Sequence, residues 1–372
     1  MKPNSQIPPH QRTVIELREG SYELDTGPGV INKTGSLIKQ QLHPTSKCAV
    51  VTSSIVNEIH GESVLKSMNE AGIDAGMAEV PEGEIAKSWH VAEQLIGDLI
   101  DLGLDRTSVV VAFGGGTVGD LAGFVASIFL RGIRLVHVPT TLLAQVDSSV
   151  GGKTAINHPK GKNLIGSIYQ PSLIVSDQNL LSTLPRREIL SGLAEVVKHG
   201  VIADATLFEY VDKNAERLLM ADPEALANVV RSSIAIKGKF VALDEKDTKG
   251  IRAALNYGHT TGHALEVLTS WKLRHGEAVA LGMIVATEIS KKLGLMEQME
   301  IERQRLLLEK LGFCLEPPEL GAREILDVMH MDKKVSEGSI RFVVPTGIGR
   351  PPVLRAIPES LISQVLEEEG YG

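Results

Sequence analysis

The stretch SVVVAFGGGTVGDLAGFVASIFLRG, residues 108–132, decides the fold of the first half of the chain. It opens with a continuous apolar run rich in valine, which is typical of a strand buried on both faces of a parallel sheet. Three consecutive glycines follow and predict a tight turn into an apolar helix that begins near Asp120. We therefore expect a strand–turn–helix unit, the repeating element of a doubly wound α/β domain.

The same alternation continues on both sides of this stretch. CAVVTSS, RLVHVPTT and SLIVSDQ are typical of further strands, and AKSWHVAEQLIGDLIDLG of an amphipathic helix. From about Leu180 the pattern becomes helical, with a single β-like run, IRFVVPT, near the end. The sequence predicts an α/β N-terminal domain over residues 1–180, with a parallel, Rossmann-like sheet and helices on both faces. A mainly α-helical C-terminal domain is expected over residues 181–372.

Composition limits the class of protein. The chain has 372 residues, 43% of them hydrophobic and 23% charged, which is typical of a globular protein with more than one core. A net charge of −8 argues against nucleic acid or an anionic membrane as the main partner. The apolar runs are too short to span a bilayer. Because the N-terminus lacks a secretory signal and Cys48 and Cys314 form no disulfide or metal pattern, we expect a cytoplasmic protein.

Gly114, Gly116 and Gly119 satisfy the G-x-G-x-x-G pattern between a strand and a helix. Such glycines let the backbone approach a pyrophosphate at a helix N-terminus, although the pattern alone is equally consistent with a plain tight turn. The acid that the ordinary dinucleotide fold has about 20 residues later is missing, and Thr140 and Thr141 follow the next strand instead. The sequence predicts a phosphate-binding turn outside the ordinary Rossmann arrangement.

A polar segment, QVDSSVGGKTAINHPKGKN at residues 145–163, is predicted to be a ligand-binding loop. Gly151 and Gly152 can expose backbone N–H groups, and Lys153 supplies a positive charge for a phosphate or carboxylate. The alternative is a solvated surface loop.

The helical half contains four residues able to bind a metal: Glu195, His259, His263 and His275. His259 and His263 are four residues apart in LNYGHTTGHALE, so both imidazoles lie on one face of a helix. Simpler roles fit the spacing too, because Glu195 and Lys198 can form an ordinary helix ion pair and a histidine at a helix start is usually a cap or a surface residue.

Two histidines and one carboxylate would make an open, zinc-type site, and the spacing does not decide which three residues are the ligands. Thr260 stands where metallopeptidases of the H-E-x-x-H type have a glutamate. This difference favours a metal that polarises a substrate oxygen.

Six segments together resemble the 3-dehydroquinate synthase family of the sugar-phosphate cyclases. In chain order they are GGGTVGDLAGFVASIFLRG, VPTTLLAQVDSSVGGKTAINHPKGKNLIGSIYQP, LPRREILSGLAEVVKHG, ALNYGHTTGHALE, RHGEAVALGM and MDKKVSEGSIRFVVPTGIG. The resemblance extends from about Leu17 to the C-terminus and implies a dehydroquinate synthase-like fold. The alternatives are another sugar-phosphate cyclase or a non-catalytic NAD- or metal-binding paralogue.

The resemblance implies a set of residues for each ligand. One Zn²⁺ or Co²⁺ per subunit is expected on Glu195, His259 and His275. Catalytic roles are implied for His263, Lys198, Asp147 and Asp247. NAD⁺ contacts are implied for Glu84, Lys87, Gly115, Gly116, Thr117, Asp120, Thr140, Thr141, Lys162 and Thr183. Contacts to a sugar phosphate substrate are implied for Arg131, Lys153, Asn163, Lys237, Arg252, Asn256, and Lys333 or Lys334. Arg131 is expected to reach the site of a neighbouring subunit, which implies a homodimer.

The resemblance also implies a reaction. Family members convert 3-deoxy-D-arabino-heptulosonate 7-phosphate to 3-dehydroquinate and phosphate. The steps are oxidation at C5 by NAD⁺, elimination of phosphate, reduction by the same NADH, ring opening and an intramolecular aldol closure. The many lysines and arginines of the implied site explain how an acidic protein binds an acidic substrate.

One stretch departs from the family pattern. After CAVVT the family usually has an acid and an asparagine that hold the adenine ribose, and this chain has Ser53, Ser54 and Ile55. We expect either fewer contacts to the ribose hydroxyls or contacts from Asn57 or Glu58. Ser53→Asp combined with Ile55→Asn should tighten NAD⁺ binding in the first case only.

Overall fold

The computed structural model describes residues 10–18, 20–332 and 339–372. The chain forms two compact units. The first unit contains the described residues up to Leu184, Leu226–Ile234 and Val241–Lys246; the second contains Pro185–Ala225, Ala235–Phe240 and the described residues from Asp247 onward. The chain therefore returns to the first unit twice after first leaving it.

The first unit is built on strands numbered here in chain order. They are β1 (Gln11–Leu17), β2 (Gly20–Thr26), β3 (Lys47–Ser53), β4 (Asp74–Val80), β5 (Val109–Gly114), β6 (Arg134–Pro139), β7 (Lys153–His158), β8 (Gly161–Ile168) and β9 (Leu173–Ser176). A seven-stranded sheet has the order β1-β2-β9-β6-β5-β3-β4. Its neighbours pair in parallel except β1, which is antiparallel to β2. The predicted parallel sheet is confirmed, whereas its antiparallel edge was not predicted.

Helices cover both faces of this sheet. They are α1 (Thr34–Gln41), α2 (Ser54–Glu70), α3 (Trp89–Asp101) and α4 (Gly116–Ile128). Val110 of β5 packs in one apolar cluster with α3 and α4, whereas its neighbour Val111 packs in a second cluster with α1 and α2. Because side chains alternate along a strand, a wholly apolar strand needs cover on both faces. The prediction of helices on both faces is confirmed.

The segment at residues 145–163, predicted to be a loop, is partly regular structure. Residues Ala144–Ser148 form a π-helix, and β7 and β8 form an antiparallel hairpin with an irregularity between Ile156 and His158. The loop prediction was wrong because polar and glycine residues were given more weight than the alternation along β7. Ile156 is fully buried in the cluster with α3 and α4, while Lys153 and His158 are exposed.

The second unit is mainly helical, as predicted. Its elements are α5 (Arg186–Ala203), α6 (Ala205–Lys213), α7 (Ala215–Leu219), α8 (Pro223–Leu243), α9 (His259–Leu268), α10 (His275–Lys292), α11 (Gln298–Leu311), α12 (Ala322–Asp332), α13 (Glu359–Glu368), β10 (Ser339–Val344) and β11 (Val353–Pro358). β10 pairs antiparallel with β11, which was not predicted, and helix α8 contributes residues to both units. Among the described residues, no helix is both long and apolar enough to cross a membrane.

Candidate functional site

Three side chains of the second unit converge as a candidate metal site. Glu195 lies within α5, His259 is the first residue of α9, and His275 is the first residue of α10. One ligand atom from each lies within 4.8 Å of the other two. Oε1 of Glu195 is 3.3 Å from Nε2 of His275 and 3.6 Å from Nε2 of His259. Two ligands bound tetrahedrally at the usual zinc bond lengths lie about 3.4 Å apart, so a zinc-sized ion fits this group.

An oxygen atom lies behind each of the two imidazoles, on the side of Nδ1. His259 Nδ1 is 3.0 Å from the backbone carbonyl oxygen of Tyr257, and His275 Nδ1 is 3.6 Å from Oε1 of Glu266. A carbonyl oxygen only accepts, so Nδ1 of His259 carries the hydrogen and Nε2 directs its lone pair toward Glu195. Metal-binding histidines are normally held in this way by an outer acceptor.

Close helix packing fixes the positions of His259 and His275. Gly258, with φ 79°, precedes α9, and a Cβ atom on Gly282 of α10 would lie 1.9 Å from the Gly258 carbonyl oxygen. A Cβ atom on Gly276 would lie 2.4 Å from Cα of Ser191 in α5. Because only glycine permits these contacts, the three helices bring their ligand residues together.

Charge in the site favours the binding forms of two ligands. Burial raises the pKa of Glu195, but the Lys198 ammonium and the nearby histidines lower it more, so that its pKa is well below the ordinary value. Burial holds the pKa of His259 well below its ordinary value, so the ring is neutral. An anionic carboxylate and a neutral imidazole are the forms that bind a divalent metal.

The pKa of His275 shifts in the opposite direction to that of His259. Burial lowers its pKa, but the carboxylates of Glu195 and Glu266 outweigh this effect and raise it to about 10.

Two further residues of the catalytic prediction lie beside the metal group. Lys198, 1% exposed, forms an ion pair with Glu195 one turn along α5. His263 follows His259 by one turn of α9, and their ring centroids are 5.3 Å apart at 85°. The structure thus places His263 next to the Glu195–His259–His275 group, whose three ligand atoms come from the other residues.

The glycine turn of the first unit has the shape of a phosphate cradle. Gly115 precedes α4 and Gly116 begins it, four residues earlier than predicted. A Cβ atom on Gly115 would lie 3.1 Å from Thr141 Cγ2, and one on Gly116 would lie 3.0 Å from Ser148 Oγ. The Thr140 N–H donates to the Gly114 carbonyl oxygen at 2.9 Å, which holds the ends of β5 and β6 together. A side chain at either position would crowd these neighbours, and the N-terminus of α4 suits an anion.

The dinucleotide crevice follows from the topology of the sheet. After β5 the chain enters α4 on one face, whereas after β3 it enters α2 on the other face. Strands β3 and β5 are neighbours, so the chain switches faces between their carboxyl ends. Ligands of doubly wound sheets bind at such a switch point.

Several predicted NAD contacts form one polar network in the first unit. Lys87, 3% exposed, pairs with Asp120 at 2.6 Å between Nζ and Oδ2, and also donates to Asn163. Glu84 is 3.3 Å from Lys162. Asn157, which was not predicted, donates to Glu84 at 2.8 Å. The predicted substrate contact Asn163 therefore lies within the NAD group.

Each of the remaining predicted residues that the structure describes belongs to one of the two units. Thr183 contacts His60 at 2.9 Å, and Thr117 lies in the first turn of α4. Asp147 lies in the π-helix, Lys153 begins β7, and Arg131 is exposed with φ 67°. In the second unit, Lys237 and Arg252 are buried, while Asp247 and Asn256 are exposed. Lys333 and Lys334 lie outside the described residues.

Sequence reasoning missed Glu266, the acceptor behind His275. Its signal was present, because residue 266 is seven positions after His259 and so on the same face of α9. The Tyr257 carbonyl had no such signal, since every residue has one.

Comparison with solved structures places the chain in a class. A 2-deoxy-scyllo-inosose synthase complexed with carbaglucose-6-phosphate, NAD⁺ and Co²⁺ is 27% identical, with a TM-score of 0.89 over 96% of this chain and 100% of that one. A 2-epi-5-epi-valiolone synthase from Streptomyces hygroscopicus subsp. jinggangensis 5008, with NAD⁺ and Zn²⁺ bound, is 24% identical, with a TM-score of 0.85 over 95% and 98%. The chain has the fold of the sugar-phosphate cyclases.

Sequence comparison narrows this class to a family. The family description "3-dehydroquinate synthase N-terminal" matches residues 77–191, and "3-dehydroquinate synthase C-terminal" matches residues 192–335. The 3-dehydroquinate synthase of Symbiobacterium thermophilum is 44% identical over 355 residues, which cover 95% of this chain and 99% of the relative. The chain belongs to the 3-dehydroquinate synthase family.

Proposed function

We propose that this protein is a 3-dehydroquinate synthase, which converts 3-deoxy-D-arabino-heptulosonate 7-phosphate to 3-dehydroquinate and phosphate. The observation that carries the proposal is the Glu195–His259–His275 group with Lys198 beside it. It occurs in a chain whose match covers 99% of the length of a 3-dehydroquinate synthase.

NAD⁺ is assigned to the domain of residues 1–180 and the metal and substrate mainly to residues 181–372. The glycine turn between β5 and α4 suits the pyrophosphate, and the Lys87–Asp120–Asn163 network supports the cofactor side of the site. Zn²⁺ or Co²⁺, one per subunit, fits the spacing of the Glu–His–His group. Buried Lys198, Lys237 and Arg252 are suited to a doubly charged phosphate and a carboxylate.

The residues divide the chemistry between them. When bound, NAD⁺ supplies a hydride acceptor that is regenerated within the cycle, and the divalent cation supplies a Lewis acid. His263, one turn from a ligand and outside the ligand set, transfers a proton. Lys198 holds a positive charge beside the carboxylate of Glu195 and so keeps that ligand ionised. Asp147 and Asp247 are assigned to the catalytic group as well, with Asp247 as a proton acceptor.

The proposal includes a cytoplasmic homodimer in which Arg131 reaches the phosphate site of the partner subunit. Its support is the exposure of Arg131 and its position after a chain reversal, where Leu130 and Arg131 have φ 51° and 67°. Two consecutive non-glycine residues in the left-handed region are costly, which is typical of positions with a functional constraint.

A phosphate-release assay tests the function. The purified protein, supplied with NAD⁺ and Zn²⁺, should release phosphate from the heptulosonate phosphate and not from glucose 6-phosphate. Release from glucose 6-phosphate alone would identify another sugar-phosphate cyclase. Release from neither substrate by metal-loaded protein that binds NAD⁺ would identify a non-catalytic paralogue.

A further inference from the structure

The first turn of α10 is tied to helix α5 through three consecutive residues. Arg187, Ser191 and Glu195 are four residues apart on α5, so they lie along one face of that helix. Oε1 of Glu195 is 3.3 Å from Nε2 of His275, the first residue of α10. The hydroxyl of Ser191 accepts a hydrogen bond from the backbone N–H of Gly276, with 3.1 Å between N and Oγ.

The third contact is a forked ion pair between Arg187 and Glu277. The guanidinium donates from Nε to Oε1 at 2.7 Å and from Nη2 to Oε2 at 2.6 Å. Two such bonds fix the orientation of both side chains as well as their separation. Oε2 of Glu277 also accepts from the backbone N–H of Arg274 at 2.8 Å, so the same carboxylate caps the start of α10.

Arg187 also holds the segment that precedes α10. Its Nη2 donates to the backbone carbonyl oxygen of Lys272 at 2.8 Å. Lys272 lies in the connection between α9 and α10, residues 269–274, where Ser270 and Trp271 have φ 50° and 63°. Non-glycine residues persist in the left-handed region only where surrounding contacts hold them. One guanidinium therefore restrains both the connection after α9 and the start of α10.

We propose that Arg187 is a positioning residue for the metal site, and that it acts through Glu277 and the start of α10 to hold His275 in place for a divalent cation. The inference rests on the proposed Glu195–His259–His275 site. Among these ligands His275 has the most exposed side chain, at 26% against 10% for His259 and 0% for Glu195. Metal ligands must be held to within about 0.5 Å by the groups around them, so the least enclosed ligand depends most on its helix.

A simpler role for Arg187 and Glu277 is that of a surface ion pair, which usually contributes little to stability. Their side chains are 50% and 22% exposed. The two roles predict opposite effects on the metal when the arginine is removed. Removing a positive charge should by itself strengthen the binding of a cation, whereas loss of positioning should weaken it.

The test is metal binding by Arg187→Ala, Arg187→Lys and Glu277→Gln, measured by competition of Zn²⁺ and Co²⁺ with a chelator of known affinity. Arg187→Lys keeps the charge but not the fork, because an ammonium lacks the planar pair of N–H groups. Arg217→Ala is the matched control, since this arginine is 45% exposed and pairs with Asp222 and Glu224 at 3.0 and 2.8 Å. Urea unfolding of each metal-free variant measures its stability.

We expect Arg187→Ala and Arg187→Lys each to weaken Zn²⁺ and Co²⁺ binding about tenfold, the usual effect of losing an outer partner of a metal ligand. The visible absorption spectrum of bound Co²⁺, which depends on the geometry of its ligands, should change in both variants and stay as in the wild type in Arg217→Ala. Adding Glu277→Gln to Arg187→Ala should weaken binding no further, because both changes break the same fork.

Metal binding by Arg187→Ala that equals or exceeds that of the wild type, or full restoration by Arg187→Lys, would overturn the role of Arg187 and leave the proposed function standing. Equal weakening by Arg187→Ala and Arg217→Ala would overturn it too, because the effect would then follow from a general loss of stability. A wild-type protein that binds neither metal would overturn both the inference and the proposed metal site.

Discussion

His259 and His263 are the same residue type on one helix face, but their surroundings predict different roles. His259 Nε2 faces Glu195, whereas His263 lies one turn farther along α9. His263→Ala should retain one equivalent of metal and lose turnover by about 10²–10⁴-fold, because positioned proton transfer typically contributes that much. Metal analysis after dialysis against a weak chelator, together with the phosphate-release assay, measures both effects.

The matched controls are His259→Ala and His275→Ala, each of which removes one proposed ligand. Both should lose tight metal retention. Metal loss by His263→Ala equal to that of the controls would show that His263 is itself a ligand, and full retention by His275→Ala would remove His275 from the set.

The two cysteines also differ in their surroundings, and their thiols should therefore differ in reactivity. Cys48 lies within β3, 1% exposed, and burial raises the pKa of its thiol to about 12, despite the opposing charges of Arg134 and Lys39. Cys314 is exposed. Because the thiolate is the reactive form, a disulfide reagent such as DTNB should modify one thiol in the native protein and both in denaturant. Cys314→Ser should show no fast reaction, and rapid modification of Cys48 in that variant would contradict its burial.

At the scale of elements, the contact between α10 and the start of α9 leaves no room for a side chain at Gly282. Gly282→Ala puts a methyl group against the Gly258 backbone, next to His259. Such overpacking typically costs about 1–3 kcal/mol, and here it should also weaken metal retention. Gly97→Ala in α3 is the control, since its Cβ would meet nothing within 4 Å, and it should stabilise the protein by about 0.5–1 kcal/mol.

Denaturant titration with and without metal measures both glycine variants. A Gly282→Ala protein that unfolds at the wild-type midpoint and keeps its metal would show that the helices can separate at little cost.

Elements with a clear period were predictable, and elements that depend on distant pairing were not. β3, β5, β6 and β9 are apolar enough to be recognised alone. β1 and β11 are recognisable only once their partners are known, because their side chains are mostly exposed. Hairpin β7–β8 was also missed, because its glycines and lysines are typical of a loop.

Local sequence patterns also predicted only part of the candidate site. Spacing within α9 drew attention to His259 and His263, yet the structure groups His259 with Glu195 and His275. Residues 195 and 275 come from different helices, so no local pattern could select them. The three-residue set was instead implied by family resemblance, and the outer acceptor Glu266 was not implied at all.

At the scale of the whole molecule, one buried histidine makes stability depend on pH. His137 of β6 is enclosed by the sheet and α4, and burial lowers its pKa to about 4. Above pH 6.5 the ring is neutral in the folded and unfolded chains. Between about pH 6.5 and 4 only the unfolded chain takes up the proton, so the first unit should lose about 3 kcal/mol across this window.

The two tryptophans allow each unit to be followed separately, since Trp89 belongs to the first and Trp271 to the second. In a Trp271→Phe background, urea unfolding followed by Trp89 fluorescence measures the first unit at pH 7 and pH 5. His137→Leu should reduce the difference between the two pH values. The same difference with and without His137 would assign the acid sensitivity to other groups.

The division of the chain between the units has a consequence for its synthesis. The first unit is nearly complete at Leu184, yet it lacks Leu226–Ile234 and Val241–Lys246 until 62 further residues have been added (246 − 184). At ribosomal rates of about 5–20 residues per second, this interval lasts about 3–12 s. During that time the nascent first unit lacks its residues from α8. A chaperone that binds emerging chains can bind it in this interval. A fragment ending at residue 184 reproduces this waiting state permanently, and we expect it to be captured by such chaperones far more than a fragment ending at residue 246.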